Sequence, residues 1–252
     1  MALIYEPKGR AREYAAWSVN IYRGCSHGCT YCFAPSALRM DRHMFYSEPS
    51  DRGSGFLKQL EREAATLKTN GEPILLCFTC DPYQPLDTEL KLTREAIKIL
   101  HAHGHAVNVL TKGGTRALRD LDLFTPRDAF ATTLTQIHPR LSSAWEPGAA
   151  HPEDRIFAIL QFHAKGIPTW VSLEPVLDPT AALLIIRNTH PFVDLFKIGR
   201  WNYDPRSNEI DWRKFAADAV ALCESLGKRY MLKRDLACFL PGGPREEVNR
   251  GA

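Results

Sequence analysis

Short β-branched runs alternate with longer helical patterns along most of the chain, and this alternation limits what the chain can fold into. Parallel strands need long crossovers between them, and repeated strand–helix units supply such crossovers, so a parallel sheet with helices outside is expected. Strands read at residues 18–22 (SVNIY), 74–79 (ILLCFT), 106–111 (AVNVLT), 129–135 (AFATTLT), 167–173 (IPTWVSL) and 194–198 (DLFKI), with 230–233 (YMLK) as a last one. Helices read at 56–67, 89–103, 115–124, 153–165, 180–188 and 211–226. Apolar residues three or four apart mark them, as with Ile156, Ile159 and Leu160, or Phe215, Ala219, Leu222 and Leu226. Gly104 and Gly166 stop two of them. Six such units and a final strand are too few for a closed eight-fold barrel. The expected fold is therefore α/β, a partial (β/α)6 barrel with parallel strands, whose functional residues gather at the carboxyl ends of the strands. No Pro/Gly-rich linker divides the chain, so one domain is expected over 1–240, with a core at about 17–200 and a last helix and strand in 201–240. Residues 241–252 (PGGPREEVNRGA) read as a flexible tail.

Composition narrows the class. The chain has 252 residues with 32 basic and 29 acidic side chains, a net charge of +3, which does not by itself call for nucleic acid. Its 44% hydrophobic and 24% charged content excludes collagen-like and wholly disordered chains. No apolar run of about 18 residues is present, so no membrane span or membrane partner is expected. Residues 1–14 contain Glu6, Lys8, Arg10, Arg12 and Glu13 and lack the apolar core of a secretory signal. A cytoplasmic protein is expected.

Seven cysteines lie at 25, 29, 32, 77, 80, 223 and 238. An odd count in a reducing compartment argues against a disulfide framework. Three of them fall in Arg23-Gly24-Cys25-Ser26-His27-Gly28-Cys29-Thr30-Tyr31-Cys32, spaced by three residues and then by two. The glycines let such a loop curl until three thiolates face one centre. Soft thiolates select iron–sulfur clusters or zinc. A structural zinc ion wants four protein ligands, whereas a cluster on three cysteines keeps one iron open for a cofactor.

This triplet, following the first strand, resembles the CxxxCxxC motif of the radical S-adenosylmethionine superfamily. Its surroundings are similar to the spore photoproduct lyase-like branch: Asn20-Ile21-Tyr22-Arg23-Gly24-Cys25, Asp81-Pro82-Tyr83-Gln84-Pro85, Leu92-Thr93-Arg94, Thr111-Lys112-Gly113, Arg119-Asp120-Leu121, and Trp145-Glu146-Pro147-Gly148-Ala149 with Arg155. The resemblance covers about residues 17–200. It implies that Cys25, Cys29 and Cys32 hold a [4Fe-4S] cluster whose open iron binds S-adenosylmethionine. One electron, from a donor such as flavodoxin or ferredoxin, would then release methionine and a 5′-deoxyadenosyl radical that abstracts hydrogen from the substrate. A nucleic acid leads as substrate because the named relative repairs DNA; a peptide or small metabolite is the competing target. A non-catalytic iron–sulfur or zinc-binding regulator is the competing class.

The same resemblance assigns neighbouring residues. Tyr31 would lie against the adenine, or simply pack the loop. Thr79 and Asp81 end the second strand beside the methionine part of the cofactor, though Asp81 before Pro82 also suits a plain turn. Strand alternation puts Cys77, Thr79 and Asp81 on one face and Phe78 and Cys80 on the other, which keeps the two thiols apart. The branch uses a cysteine on this strand as hydrogen donor. Aligning Asp81 puts Phe78 at that position, so Cys80 is either catalytic or an inert buried thiol. Lys112 would reach the cofactor carboxylate, and Thr133 or Thr135 the ribose hydroxyls. Arg155 would orient the cofactor or pair with Glu146. Glu174 is a catalytic candidate at a strand end, and Lys197 and Gly199 lie where relatives offer backbone groups to adenine. Outside the resemblance, Lys228-Arg229 and Lys233-Arg234 flank Tyr230, as a phosphate-binding patch or an ordinary solvated face. His27 has no assigned role.

Overall fold

The computed structural model describes residues 2–242. In chain order the elements are β1 (Ile4–Tyr5), β2 (Trp17–Val19), α1 (Ala34–Leu38), α2 (Arg42–Ser47), α3 (Phe56–Thr66), β3 (Ile74–Leu76), α4 (Pro85–Leu90), α5 (Leu92–Ala102) and β4 (Val107–Thr111). A 3-10 helix, Gly114–Leu123, follows. Then come β5 (Ala129–Thr133), α6 (Pro139–Trp145), α7 (Pro152–Ala164), β6 (Thr169–Val176), α8 (Pro179–Thr189), β7 (Leu195–Arg200), α9 (Trp212–Ser225), β8 (Arg229–Leu232) and α10 (Arg234–Ala237).

Among the described residues these strands form one eight-stranded sheet in the order of the sequence. The seven strands from β2 to β8 are mutually parallel, and β1 adds an antiparallel edge through Ile4 opposite Val19. This is the partial barrel that the strand–helix alternation implies. Its outer face carries the main apolar core. Phe130 of β5 stacks on Phe162 of α7 with ring centroids 3.7 Å apart, and Val171, Phe196 and Ile198 continue the layer toward α8 and α9. A smaller cluster of Leu75, Ala131 and Trp170, capped by Tyr14, Phe78 and Leu110, fills the inside of the barrel. Residues two apart on each strand therefore divide cleanly between helix-facing and barrel-facing sets.

Several expected boundaries move. The first strand runs from Trp17 to Val19, not 18–22, and the second stops at Leu76, not at 79. The helix expected at 89–103 is two helices, because Lys91 adopts a left-handed backbone with φ 52° between α4 and α5. The buried Asp87 carboxylate fixes that break by accepting from the Thr93 amide at 2.9 Å and from Arg119 at 2.7 Å. Residues 114–123 are 3-10 rather than α-helical. β1, α1, α2, α6 and α10 have no counterpart in the sequence reading, since elements of two to seven residues show too little periodicity to register. The expected flexible tail lies, from residue 243 onward, outside the described residues. Among the described residues no helix is long and apolar enough to cross a membrane.

Candidate active site

The loop after β2 carries Cys25, Cys29 and Cys32, and its course is fixed by contacts to three other segments. Gly24 takes φ 74° and lies so close to α2 that a Cβ there would stand 2.6 Å from the Phe45 carbonyl oxygen. Cys25 donates its amide to that same oxygen at 2.9 Å. Gly148 sits under the loop, where a Cβ would come within 2.2 Å of the Ser26 carbonyl, and its amide donates to His27 O. The buried Gln84 side chain accepts from the Ser26 amide and donates to Gly24 O. Tyr46 and Arg42 of α2 donate to the carbonyls of Cys29 and Cys32 at 2.8 and 2.9 Å.

All three cysteines open onto a cavity of about 460 Å³ inside the barrel mouth. They are free thiols in the structure. Burial pushes the Cys25 thiol well above its ordinary pKa and the Cys29 thiol up to about 12. At Cys29 the charges of Lys112 and Arg155 offset that burial only in part, and a bound metal centre would supply the further positive charge that turns such thiols into thiolate ligands. Three soft donors on a curled loop, with buried space beside them and an unpartnered Ser26 Oγ in the loop itself, suit an iron–sulfur cluster.

Two buried networks brace this side of the cavity. In the first, Asp81 accepts from the amides of Tyr83 and Lys112 at 2.8 and 2.7 Å and from Thr111 Oγ1 at 2.6 Å. Its Oδ2 also lies 3.4 Å from His27 Nδ1. Burial works against the Asp81 charge, yet His27 and these donors together hold its carboxyl below the usual range. Burial likewise keeps His27 neutral, with its pKa lowered to about 4. Arg116 points at His27 Nε2 from 3.1 Å, so that nitrogen accepts and Nδ1 carries the proton toward Asp81. In the second network, Tyr31 donates its hydroxyl to Glu146, and Glu146 pairs with Arg155 at 2.7 Å. Arg155 also donates to the carbonyls of Ala150 and Thr133. Lys112 stands over the Tyr31 ring at 5.7 Å. Burial opposes its charge, but Cys29 and Glu146 outweigh that and raise its pKa, so it is a cation at neutral pH.

The opposite wall is built from the amino-terminal segment and the ends of β6 and β8. Tyr14 donates to Glu174 and lies 3.2 Å from Ser172 Oγ. Lys233, 3% exposed, pairs with Glu174 at 3.0 Å and stands 3.6 Å from the centre of the Tyr14 ring. Below them Lys197 donates to Tyr14 O and faces the Trp170 ring at 4.3 Å. Burial, with Lys233 nearby, lowers its pKa to about 8.

The structure brings together most of the residues singled out by sequence. Cys25, Cys29, Cys32, Tyr31, Thr79, Cys80, Asp81, Lys112, Thr133 and Glu174 all line the cavity. Arg155, Thr135, Lys197 and Gly199 do not, among the described residues. Arg155 is consumed by Glu146 and two carbonyls. Thr135 lies beyond the end of β5, its hydroxyl buried and unpartnered. Lys197 is roofed by Tyr14, and Gly199 is covered by the Glu174 side chain, into which a Cβ would run at 2.6 Å. The expected separation of Cys77 from Cys80 also fails. Past Leu76 the chain is no longer a strand; Asn20 grips it by accepting from the amides of Phe78 and Thr79, and the two thiols meet. Lys228, Arg229, Lys233 and Arg234 form no single patch, since Lys233 faces the cavity. Sequence reasoning missed Tyr14, Asn20, Gln84 and Lys233. Asn20 and Gln84 stood within quoted motifs and Lys233 within the basic stretch beside Tyr230, read there for a different role, while nothing near Tyr14 marked its role.

The model of the Radical SAM superfamily matches residues 19–180. An uncharacterised protein of Mycobacterium tuberculosis (strain ATCC 25618 / H37Rv) is 31% identical over 173 residues, covering 64% of this chain and 49% of its own length. The chain thus spans about half of that relative. An uncharacterised protein of Methanocaldococcus jannaschii is 26% identical over 185 residues, 72% of this chain and 69% of the relative. Spore photoproduct lyase complexed with dinucleoside spore photoproduct shares the fold with a TM-score of 0.67 at 11% identity, over 90% of this chain and 79% of the lyase. Streptococcus suis SuiB bound to S-adenosylmethionine matches with a TM-score of 0.63 at 9% identity, over 89% of this chain and 52% of SuiB. At such identities these structures speak for the fold alone. With the family match spanning most of the barrel and all three cysteines of the loop after β2, the chain belongs to the radical SAM superfamily.

Proposed function

We propose that this protein abstracts a hydrogen atom from a nucleic-acid substrate held in the barrel mouth. The carrying observation is that the three loop cysteines, Lys112 and Thr133 open onto one cavity. When bound, the [4Fe-4S] cluster and S-adenosylmethionine supply a 5′-deoxyadenosyl radical there. Cys25, Cys29 and Cys32 hold the cluster. Lys112, a half-buried cation fixed through its amide by Asp81, binds the cofactor carboxylate. Thr133 faces the ribose. Asp81 is a positioning residue, because its oxygens are already occupied by the chain's own donors. Glu174, tied to Tyr14 and Lys233, shapes the substrate side.

The substrate class follows from charge. Lys8, Arg10, Lys112, Arg200 and Lys233 line the cavity against only Asp81 and Glu174, which favours an anion. The spore photoproduct lyase complex, with its dinucleoside ligand, supports the same class. The place of Phe78 where that branch carries its donor cysteine keeps photoproduct repair itself out of the proposal. Flavodoxin or ferredoxin would deliver the electron, in a cytoplasm that keeps the seven thiols reduced.

The test is anaerobic. The protein is reconstituted with iron and sulfide, given dithionite and S-adenosylmethionine, and assayed for 5′-deoxyadenosine by chromatography. Product that vanishes in Cys25→Ala, Cys29→Ala and Cys32→Ala is expected. A full cluster that yields no product, with or without cell extract as a substrate source, would overturn the proposal in favour of a binding or sensing role.

A further inference from the structure

Tyr203 is 89% exposed at the rim of the same cavity, more than any other large apolar or aromatic side chain among the described residues. Its backbone is left-handed, φ 67°, a conformation that side chains other than Gly, Asn and Asp seldom adopt. The loop nevertheless holds it firmly. On one side Asn202 donates to Arg200 O at 2.9 Å and to Asp235 at 2.6 Å. On the other, Asp204 pairs with Arg206 at 2.6 Å, and that guanidinium lies between Trp145 and Trp201 at 4.9 and 4.8 Å from their ring centres. Arg10, itself paired to Asp235, stands 5.7 Å from the Tyr203 ring centre. A strained backbone pinned at both neighbours thus presents an exposed aromatic ring, with the Arg10 guanidinium over one face, at a rim that also carries Lys8. Such strain is retained where the surroundings enforce it, and it points to use.

We propose that Tyr203 is a stacking platform for one unpaired base of a nucleotide unit, with Arg10 and Lys8 taking the adjoining phosphate. The proposal rests on the nucleic-acid reading above and adds which part of the substrate is gripped, and by what. An aromatic face accepts any base, whereas the cations fix the backbone, so the site favours a single strand over a paired one.

The experiment uses the reconstituted protein with S-adenosylmethionine bound. Fluorescence anisotropy reports its affinity for a short single-stranded oligonucleotide, for the same strand with every base removed, and for an unstructured peptide. Tyr203→Asn removes the ring and keeps a residue that tolerates positive φ. It is expected to weaken the base-bearing strand about five- to hundredfold, the loss of one base–aromatic stack, and to leave the base-free strand within about twofold. Tyr203→Trp should restore the affinity. A mononucleotide that competes as well as the strand would assign the site to free nucleotides and keep the stacking role. Equal affinity of wild type and Tyr203→Asn for the base-bearing strand, or tighter binding of the peptide, overturns the proposal. The two readings fail separately. Wild-type protein that cleaves its cofactor but ignores bases loses only the platform, whereas protein with a full cluster and no cleavage loses the reaction beneath it.

Discussion

At Cys29 burial and charge pull in opposite directions. The thiol is 7% exposed and its pKa is raised to about 12, so the apoprotein keeps it protonated, while a ligand must be a thiolate. Cys29→Ala should therefore abolish iron and sulfide binding and the visible cluster absorption. Cys223→Ala, in the core of α9, should keep both; retained iron in the first variant would remove the assignment. Lys112 is the second residue whose role is local. Replacing it with Met removes one charge-assisted contact while the Tyr31–Glu146–Arg155 network stays paired. Cofactor affinity by calorimetry should fall about ten- to hundredfold with the cluster content unchanged. Equal affinity would take Lys112 out of the cofactor site. The three loop cysteines stood out because their residue type and spacing already state a chemistry, and Lys112 was singled out through the resemblance alone. His27 and Tyr14 were not, because their meaning lies in partners 54 and 160 residues away, Asp81 and Glu174.

Among elements, periodicity placed every parallel strand and most long helices but misplaced their ends. In α7 the apolar spacing picked the buried Ile159 but also Leu160, which is 38% exposed, and it passed over Phe162, which is wholly buried and stacked on Phe130. Phe162→Ala should cost about 3–5 kcal/mol by urea unfolding, the usual consequence of emptying such a site. A loss below about 1 kcal/mol would mean that α7 can close the gap. Strand ends were misread for a different reason. The run ILLCFT continues apolar past Leu76, but Asn20 captures the amides of Phe78 and Thr79 and ends the ladder early. As a result every residue from Cys77 to Asp81 borders the cavity, where alternation allowed only every second one.

For the whole molecule, the inside of the barrel is where charge is most constrained. Lys197 sits there with a pKa of about 8, below its ordinary 10.5, because burial disfavours the ammonium. Below pH 8 both the folded and unfolded chain hold this proton, and the penalty for burying it is constant. Between about pH 8 and 10.5 the unfolded chain binds more protons, so stability rises with pH, by up to about 3 kcal/mol. The difference in unfolding free energy between wild type and Lys197→Met, followed across that window, should show this rise. A flat difference would mean that the lysine reaches water. Taken alone, the sequence determined the parallel sheet and the curled cysteine loop, which follow from local spacing, and its resemblance to known motifs named the superfamily. Only the tertiary structure decided that Arg155 and Lys197 stay behind the cavity wall, that Cys77 meets Cys80, and that Tyr14, Glu174 and Lys233 share one network. Each of these depends on which distant side chain arrives first at a buried charge or amide, and a linear spacing carries no record of that competition.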